Sequence, residues 1–218
     1  QLDAIVIRHE HIDHVKGVGV LARRYRLPVY ANAATWKAMP SQVGEIPEEL
    51  RRFFDTGKSF RIGDLDIETF STSHDAADPV GFCFYHGSAK LGLATDLGYM
   101  SSKVMDKVRD AQVLILESNH DVEMLRMGRY PWDVKRRILS DVGHLSNDSA
   151  GDALVEMLHR GANFQQVYLA HLSQENNLPE LAHMTVENIL RQAQVEVGKE
   201  IELSLTYPNR PTPLTEVG

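Results

Sequence analysis

The stretch His9-Glu10-His11-Ile12-Asp13-His14 has the pattern H-x-H-x-D-H and directly follows an apolar run, residues 2–7. Three imidazoles and a carboxylate this close together, at the end of a predicted strand, can serve two adjacent divalent cations. In extended backbone the side chains of residues i and i+2 point the same way, so His9 and His11 can bind one ion. Where the chain turns into a helix, Asp13 and His14 project at a different angle, toward a second ion. The pattern favours a two-metal hydrolase.

This motif after a buried strand resembles the signature loop of the metallo-β-lactamase fold. The resemblance implies three further ligands, each at the end of a strand, and the chain offers His74 in 71–75, Asp96 in 94–98 and His171 in 169–173. It also implies the fold class: an α/β protein built as an αββα sandwich, lacking its usual N-terminal strands, with residues 1–218 in a single domain.

The same resemblance divides the ligands between two cations. His9, His11 and His74 would hold one cation, Asp13, His14 and His171 the other, and Asp96 would bridge them. A bridging carboxylate offsets the repulsion between cations about 3.5–4 Å apart, and a water shared by both loses a proton near neutral pH and becomes the nucleophile. Redox members of the superfamily resemble H-x-E-x-D-H, whereas this chain has His11, the hydrolase form. Zinc and manganese both suit these ligands, so the metal stays open.

A second motif concerns the leaving group. The sequence 143–147, Gly-His-Leu-Ser-Asn, resembles the glycine–histidine turn of tRNase Z-type nucleases, in which the His protonates the leaving oxygen. Glu117, at the end of a predicted strand, matches the carboxylate that orients that His. The implied catalytic residues are His144 as general acid, Glu117 as its partner and Asp13, which is also a ligand.

Plainer interpretations of these positions stay open. Ser146 or Asn147 could cap the following helix, with the His144 ring playing no part. Glu117 could simply face solvent or pair with an Arg. His120 lies next to the proposed acid pair, and the sequence does not assign it a role.

A narrower resemblance covers essentially the whole chain. The runs 8–19, 117–125, 128–132 and 169–177 are similar to the bacterial YycJ/WalJ-type proteins. That family implies exonuclease action on DNA, rather than RNA, from the 5′ end, with a suggested part in mismatch repair. Its members begin with strands and a glycine- and serine-rich loop ahead of the signature motif, whereas here only eight residues precede His9. Without those strands a sheet edge would be unpaired, and we expect the missing N-terminal segment to cover it.

Charge argues against a nucleic acid substrate, because 23 Lys and Arg stand against 30 Asp and Glu, a net charge of −7. Two bound cations would add about four positive charges at the rim. The segments 124–132 and 135–137 also place five cations and two aromatic residues next to the proposed acid, a mixture suited to the backbone and bases of a strand. A solvated helix face with a packed Trp is the alternative. The predicted substrate-binding residues are Arg126, Arg129, Trp132 and Arg136.

Composition indicates a compact α/β domain, with 43% hydrophobic residues and no run of about 20 apolar residues. Cys83 is the one cysteine, so no internal disulfide can form, which fits a reducing cytoplasm. The oligomeric state stays open. Three function classes remain: a nuclease, a small-ester, thioester or lactam hydrolase, and a non-catalytic scaffold stabilised by metals.

Alternation and periodicity predict the secondary structure. The predicted strands are 2–7, 29–31, 59–62, 65–70, 80–85, 90–94, 112–116, 166–170 and 201–205, and the predicted helices are 15–25, 33–39, 101–108, 132–140, 147–160 and 179–194. Each proposed ligand outside the first motif follows a predicted strand, so the ligands can share one open rim of the sandwich.

Overall fold

The structure, a computed structural model, describes residues 2–217 and contains two sheets within that range. The smaller sheet is parallel, in the order β1-β2-β3, and the larger has the order β10-β9-β8-β7-β6-β5-β4. The strands are β1 (Ile5–Val6), β2 (Val29–Ala31), β3 (Arg51–Phe53), β4 (Ser59–Ile62), β5 (Leu65–Ser71), β6 (Val80–His86), β7 (Ala89–Ala94), β8 (Val113–Glu117), β9 (Gln166–Ala170) and β10 (Glu202–Leu205).

Helices occupy most of the connections between strands. None of those in the described range combines the length and apolar character needed to cross a membrane. They are α1 (Ile12–Val15), α2 (Val18–Tyr25), α3 (Ala33–Ala38), α4 (Ser102–Val108), α5 (Val122–Met127), α6 (Trp132–Ile138), α7 (Asn147–His159) and α8 (Pro179–Gln192), with short 3-10 turns at Ser41–Val43 and Glu48–Leu50.

The larger sheet changes character at β7. Strands β4 to β7 pair antiparallel, whereas β7 to β10 pair parallel, with Leu116 opposite Leu169 in the β8–β9 register. Strands β5, β7, β8 and β9 consequently run in the same direction, and their carboxyl ends lie at the same edge of the sheet. The loops that leave these ends can bring their side chains together.

Apolar side chains fill three layers. Between the sheets, Phe54, Ile67 and Phe82 are buried, and the Phe54 ring stacks on Phe60 with 5.0 Å between ring centroids. On the outer face of the larger sheet, a larger core joins residues of α4, α7 and α8 to the strands, and on the outer face of the smaller sheet Val18 and Ala22 of α2 are buried. Helices thus cover both outer faces, and the predicted αββα sandwich is confirmed.

The predicted elements differ from the observed ones in a few places. The helix predicted over 15–25 is wrong as a single element, because α1 ends at Val15 and α2 begins at Val18 after Gly17. Two elements were missed. Strand β3 has only three residues and no apolar alternation, and helix α5 is a short element that begins where the Asp121 side chain accepts a hydrogen bond from the Met124 backbone N–H.

Strand β1 is also shorter than predicted, with two residues, and pairs with β2 alone among the described strands. Its other edge has no strand partner within residues 2–217. That a further N-terminal segment covers this edge stays a prediction.

Candidate metal centre and catalytic pair

The structure brings the seven predicted ligands together at one rim of the sandwich. His74, Asp96 and His171 follow β5, β7 and β9, and the first motif lies beyond β1. Oxygen Oδ1 of Asp96 is at the centre of the group. Four imidazole Nε2 atoms surround this oxygen, those of His14 at 3.2 Å, His171 at 3.5 Å, His9 at 3.9 Å and His74 at 3.9 Å.

The potential ligand atoms form overlapping groups in which every atom lies within 4.8 Å of the others. One group is His9, His11 and His74, a second is Asp13, His14 and His171, and a third joins His9 and His14 to Asp96. These groups match the two sets and the shared carboxylate that the sequence motifs predict.

The donor set fits divalent cations. Nε2 of His9 is buried and has no hydrogen-bond partner, and Nε2 of His74 lies only 3.2 Å from Nδ1 of His11. Nitrogen atoms aimed at one another at this distance are the arrangement expected around a shared cation, and imidazole with carboxylate suits zinc or manganese. A buried acceptor with no donor is costly unless something binds it.

Two of the histidines are held in the protonation form that a ligand requires. Nδ1 of His74 donates to the Gly143 carbonyl at 3.0 Å, and Nδ1 of His171 donates to Oε1 of Glu117 at 2.8 Å. A neutral imidazole has one N–H, so both rings keep the Nε2 lone pair directed at the cluster.

The backbone at two of these positions is strained. Asp96 has φ of 59° and His171 has φ of 58°, in the left-handed region that non-glycine residues seldom occupy. Each residue comes directly after a core strand of the larger sheet. Such strain persists where surrounding contacts fix the geometry, and it is typical of functional sites.

Protonation of the cluster reflects burial and mutual charge. Burial lowers the pKa of His9 to about 3, so this ring is neutral. Burial would also lower the pKa of His171, but hydrogen bonds to Asp13 and Glu117 raise it to about 10. Burial would raise the pKa of Asp96, yet its hydrogen bond with His14 and nearby cations hold it far below its usual range. A cation that binds here must displace the His171 proton.

Glu117 is fully buried and accepts four hydrogen bonds. Its Oε1 accepts from Nδ1 of His144 and Nδ1 of His171, each at 2.8 Å, and its Oε2 accepts from the backbone N–H groups of Leu97 and Leu145 at 3.0 and 3.1 Å. Burial alone would raise the pKa of Glu117, but the hydrogen bonds from His144 and His171 outweigh it and lower that pKa. The alternative that Glu117 faces solvent is therefore wrong. Its occupied oxygens also make it a partner of histidines rather than a ligand.

The His144 ring lies beside the cluster, with its centroid 4.9 Å from that of His74 and 5.2 Å from that of His171. Gly143 makes this turn possible, because a Cβ there would lie 2.1 Å from the Ile138 carbonyl oxygen. The Ser146 hydroxyl caps α7 by accepting from the Ser149 N–H. The capping interpretation is thus also correct, and it is compatible with a functional ring at His144.

The predicted substrate-binding residues Arg126, Arg129, Trp132 and Arg136 are exposed in and around α5 and α6. Arg126 is ion-paired with Glu123. Lys135, counted among the basic residues of this segment, is buried and donates to the Arg126 carbonyl, so it is not available to a ligand.

Two arginines near the cluster were not among the predicted site residues. Arg137 forms a two-point ion pair with Asp75, the neighbour of His74. Arg8 forms an ion pair with Asp96. The contacting residues are 62 or more positions apart in the sequence, so no local pattern could have indicated either pair.

His120 lies outside the groups of candidate ligands found among the described residues. Its ring is buried, and neither nitrogen has a hydrogen-bond partner. Burial lowers the pKa of His120 to about 4. The geometry favours a neutral, structural His at this position.

A two-sheet sandwich covered by helices, with a His and Asp cluster at one rim, defines the metallo-β-lactamase class of hydrolases. Residues 1–172 match the family model described as the beta-lactamase superfamily domain. The chain belongs to this superfamily and, within it, to the family of YycJ and WalJ. The predictions of this fold and of a metal-dependent hydrolase are confirmed.

Three comparisons support this assignment. The chain is 46% identical over 216 residues to the exodeoxyribonuclease YycJ of Bacillus anthracis, across 99% of this chain and 81% of that protein. It is 46% identical over 218 residues to the exodeoxyribonuclease WalJ of Streptococcus pneumoniae serotype 2, strain D39, across 99% and 80%. The crystal structure of the metallo-β-lactamase fold protein YhfI from Bacillus subtilis shares the fold, with a TM-score of 0.67, 18% identity, and 94% and 75% of the two chains covered.

Proposed function

We propose that this protein is a two-cation phosphodiesterase that removes nucleotides from the 5′ end of DNA. The observation that carries the proposal is the Glu117–His144 pair beside a cluster of seven candidate ligands. An imidazole next to bound cations can give a proton to the oxygen that leaves phosphorus. The names of the two relatives, both exodeoxyribonucleases, support DNA as the substrate.

The cluster has donors for two cations. His9, His11 and His74 would hold one, Asp13, His14 and His171 the other, and Asp96 lies between the sets. When bound, the cations supply an activated nucleophile at neutral pH and neutralise charge on the phosphate. Zinc and manganese are the two candidate metals, because both accept imidazole and carboxylate ligands.

The proton step belongs to His144. Its Nδ1–H is donated to Glu117, which fixes the ring orientation and leaves Nε2 free. A proton on Nε2 would pass to the leaving oxygen as the P–O bond breaks, and the ring would then take up a proton from solvent. Glu117 acts through His144 and His171, and does not itself contact the substrate.

Exposed groups flank the rim and offer contacts for a nucleic acid strand. On one side, Arg129, Trp132 and Arg136 are exposed. On another, a groove of roughly 400 Å³ includes Tyr99 and Lys103 among its lining residues and reaches Ser73, next to His74. Cations suit phosphates and aromatic rings stack on bases, so these surfaces support a strand lying across the rim in spite of the net charge of −7.

The test uses the protein loaded with Mn²⁺ or Zn²⁺ and linear duplex DNA carrying a label at either end. Degradation from the 5′ end releases a 5′ label at once as a mononucleotide, while a 3′-labelled strand shortens progressively. Circular duplex DNA should stay intact, and RNA of the same sequence should be cut more slowly. Cleavage of the circle would contradict exonuclease action. Hydrolysis of a thioester or lactam with no cleavage of DNA would replace the proposal with the small-substrate alternative.

A further inference from the structure

Arg8, the residue before the first ligand, lies inside the cluster. Its side chain is 12% exposed, and one guanidinium nitrogen lies 2.7 Å from Oδ2 of Asp96. The other terminal nitrogen donates to the Thr95 hydroxyl, which in turn donates to the same Asp96 oxygen at 2.8 Å. A permanent cation is therefore paired with the carboxylate at the centre of the proposed metal site.

The same guanidinium contacts a candidate ligand. The nitrogen of Arg8 that pairs with Asp96 also lies 3.1 Å from Nδ1 of His14. A guanidinium can only donate hydrogen bonds, so Nδ1 of His14 must be the acceptor. In a neutral ring the proton then belongs to Nε2, which donates to Oδ1 of Asp96 at 3.2 Å.

This form of His14 cannot bind a cation in the second set of ligands. Nε2 is the His14 atom that faces Asp13 and Asp96, and a ligand atom needs a free lone pair. With Nε2 bound to a cation, the proton would sit on Nδ1 and point at the Arg8 donor. His74 and His171 differ, because their Nδ1–H groups face oxygen acceptors.

We propose that Arg8 is a positioning residue that weakens the second cation site, Asp13-His14-His171, relative to the first, His9-His11-His74. Its guanidinium must release Nδ1 of His14 before the second cation can bind. The first site then fills at a lower metal concentration, and the second fills only when the metal is more abundant. This inference rests on the proposed two-cation function.

The test compares two variants that each remove one positive charge near the rim. Arg8→Gln replaces the donor beside His14 with an amide whose oxygen can accept from Nδ1–H. Arg137→Gln, the matched control, removes the arginine that pairs with Asp75, which has no hydrogen bond with His14. The metal-free proteins are titrated with Mn²⁺, with binding followed by calorimetry, and the spin-coupled Mn²⁺ pair is detected by electron paramagnetic resonance.

In the native protein we expect two binding steps, the second at least about tenfold weaker, the scale on which groups that contact ligands change metal affinity. Arg8→Gln should strengthen the second step by about tenfold and leave the first within about twofold. The coupled signal should appear at correspondingly lower Mn²⁺. Arg137→Gln should leave the ratio of the two steps unchanged.

Several outcomes would overturn the inference. These are equal steps in the native protein, an unchanged or weaker second step in Arg8→Gln, or an equal gain in Arg137→Gln, which would assign the effect to net charge. If Arg8→Gln does not fold, as judged by circular dichroism, Arg8→Lys replaces it. Its single ammonium can pair with Asp96 while releasing His14, so the second step should again strengthen, and an unchanged step overturns the inference. A native protein that binds no cation would instead contradict the proposed function.

Discussion

One carboxylate oxygen joins His144 to His171. Oε1 of Glu117 accepts from Nδ1 of both rings at 2.8 Å, so the proposed acid and a proposed ligand share one buried anchor. Their roles can be separated experimentally, because removing one histidine leaves the other still bound to Glu117.

His144→Ala should remove the proton donor and keep the cations. We expect cleavage of duplex DNA to fall by at least about 100-fold, the usual scale for the loss of a general acid. Metal content, measured by inductively coupled plasma mass spectrometry after dialysis, should match that of the native protein. Unchanged cleavage would exclude His144 from the mechanism.

Glu117→Gln should have a broader effect. The amide places a donor where Glu117 accepts from four N–H groups, so a buried donor is left unpaired at a cost of about 1–3 kcal/mol in the free energy of unfolding. His171 also loses its anchor, and metal affinity should fall by about 10-fold or more. Urea unfolding and metal titration measure the two effects. A variant with slow cleavage but native stability and native metal affinity would limit Glu117 to orienting His144.

The exposed basic residues of α5 and α6 should contribute to DNA affinity through phosphates. Arg129→Ala combined with Arg136→Ala should reduce the slope of log K against log salt by about 2, one for each contact. Trp132→Ala should weaken binding by about 1–3 kcal/mol with an unchanged slope, as expected for stacking. The control is Arg191→Ala on α8, where the native Arg is paired with Glu187. If all three proteins behave alike in fluorescence anisotropy, the strand does not cross this surface.

His120 should act as a pH-dependent structural liability. Its folded pKa of about 4 lies below the ordinary 6.5, so the unfolded chain takes up a proton first as the pH falls. Stability linked to this group is complete above pH 6.5 and declines toward pH 4, by up to about 3 kcal/mol. His120→Leu should abolish this contribution in metal-free protein and leave DNA cleavage near the native rate. Urea unfolding from pH 7 to pH 4.5 provides the measurement, with exposed His159→Gln as control. An unchanged pH slope in His120→Leu would show that His120 is not held neutral.

Local pattern predicted most of the site. His9, His11, Asp13 and His14 lie in one short motif, and His74, Asp96 and His171 each follow a strand that periodicity had indicated. Strand direction alone then requires the loops to meet at one edge. The pairing of Glu117 with His144 was predicted from resemblance, and the contact is present in the structure.

The rest depends on contacts that sequence patterns do not encode. The ion pair of Arg8 with Asp96 and that of Arg137 with Asp75 join distant positions, and the burial of Lys135 and His120 depends on how α5, α6 and the strands pack. The break between α1 and α2 at Gly17 interrupts a stretch whose apolar spacing reads as one helix. Short elements such as β3 carry too few residues for periodicity to reveal.

Anomalous diffraction from crystals soaked in excess Mn²⁺ tests the central claim, that seven side chains from four segments hold two cations. Two peaks about 3.5–4 Å apart are expected, one on either side of Oδ1 of Asp96, the first within bonding distance of His9, His11 and His74 and the second of Asp13, His14 and His171. No peak at the rim, or peaks only at other residues, would contradict the metal assignment and the nuclease proposal that depends on it.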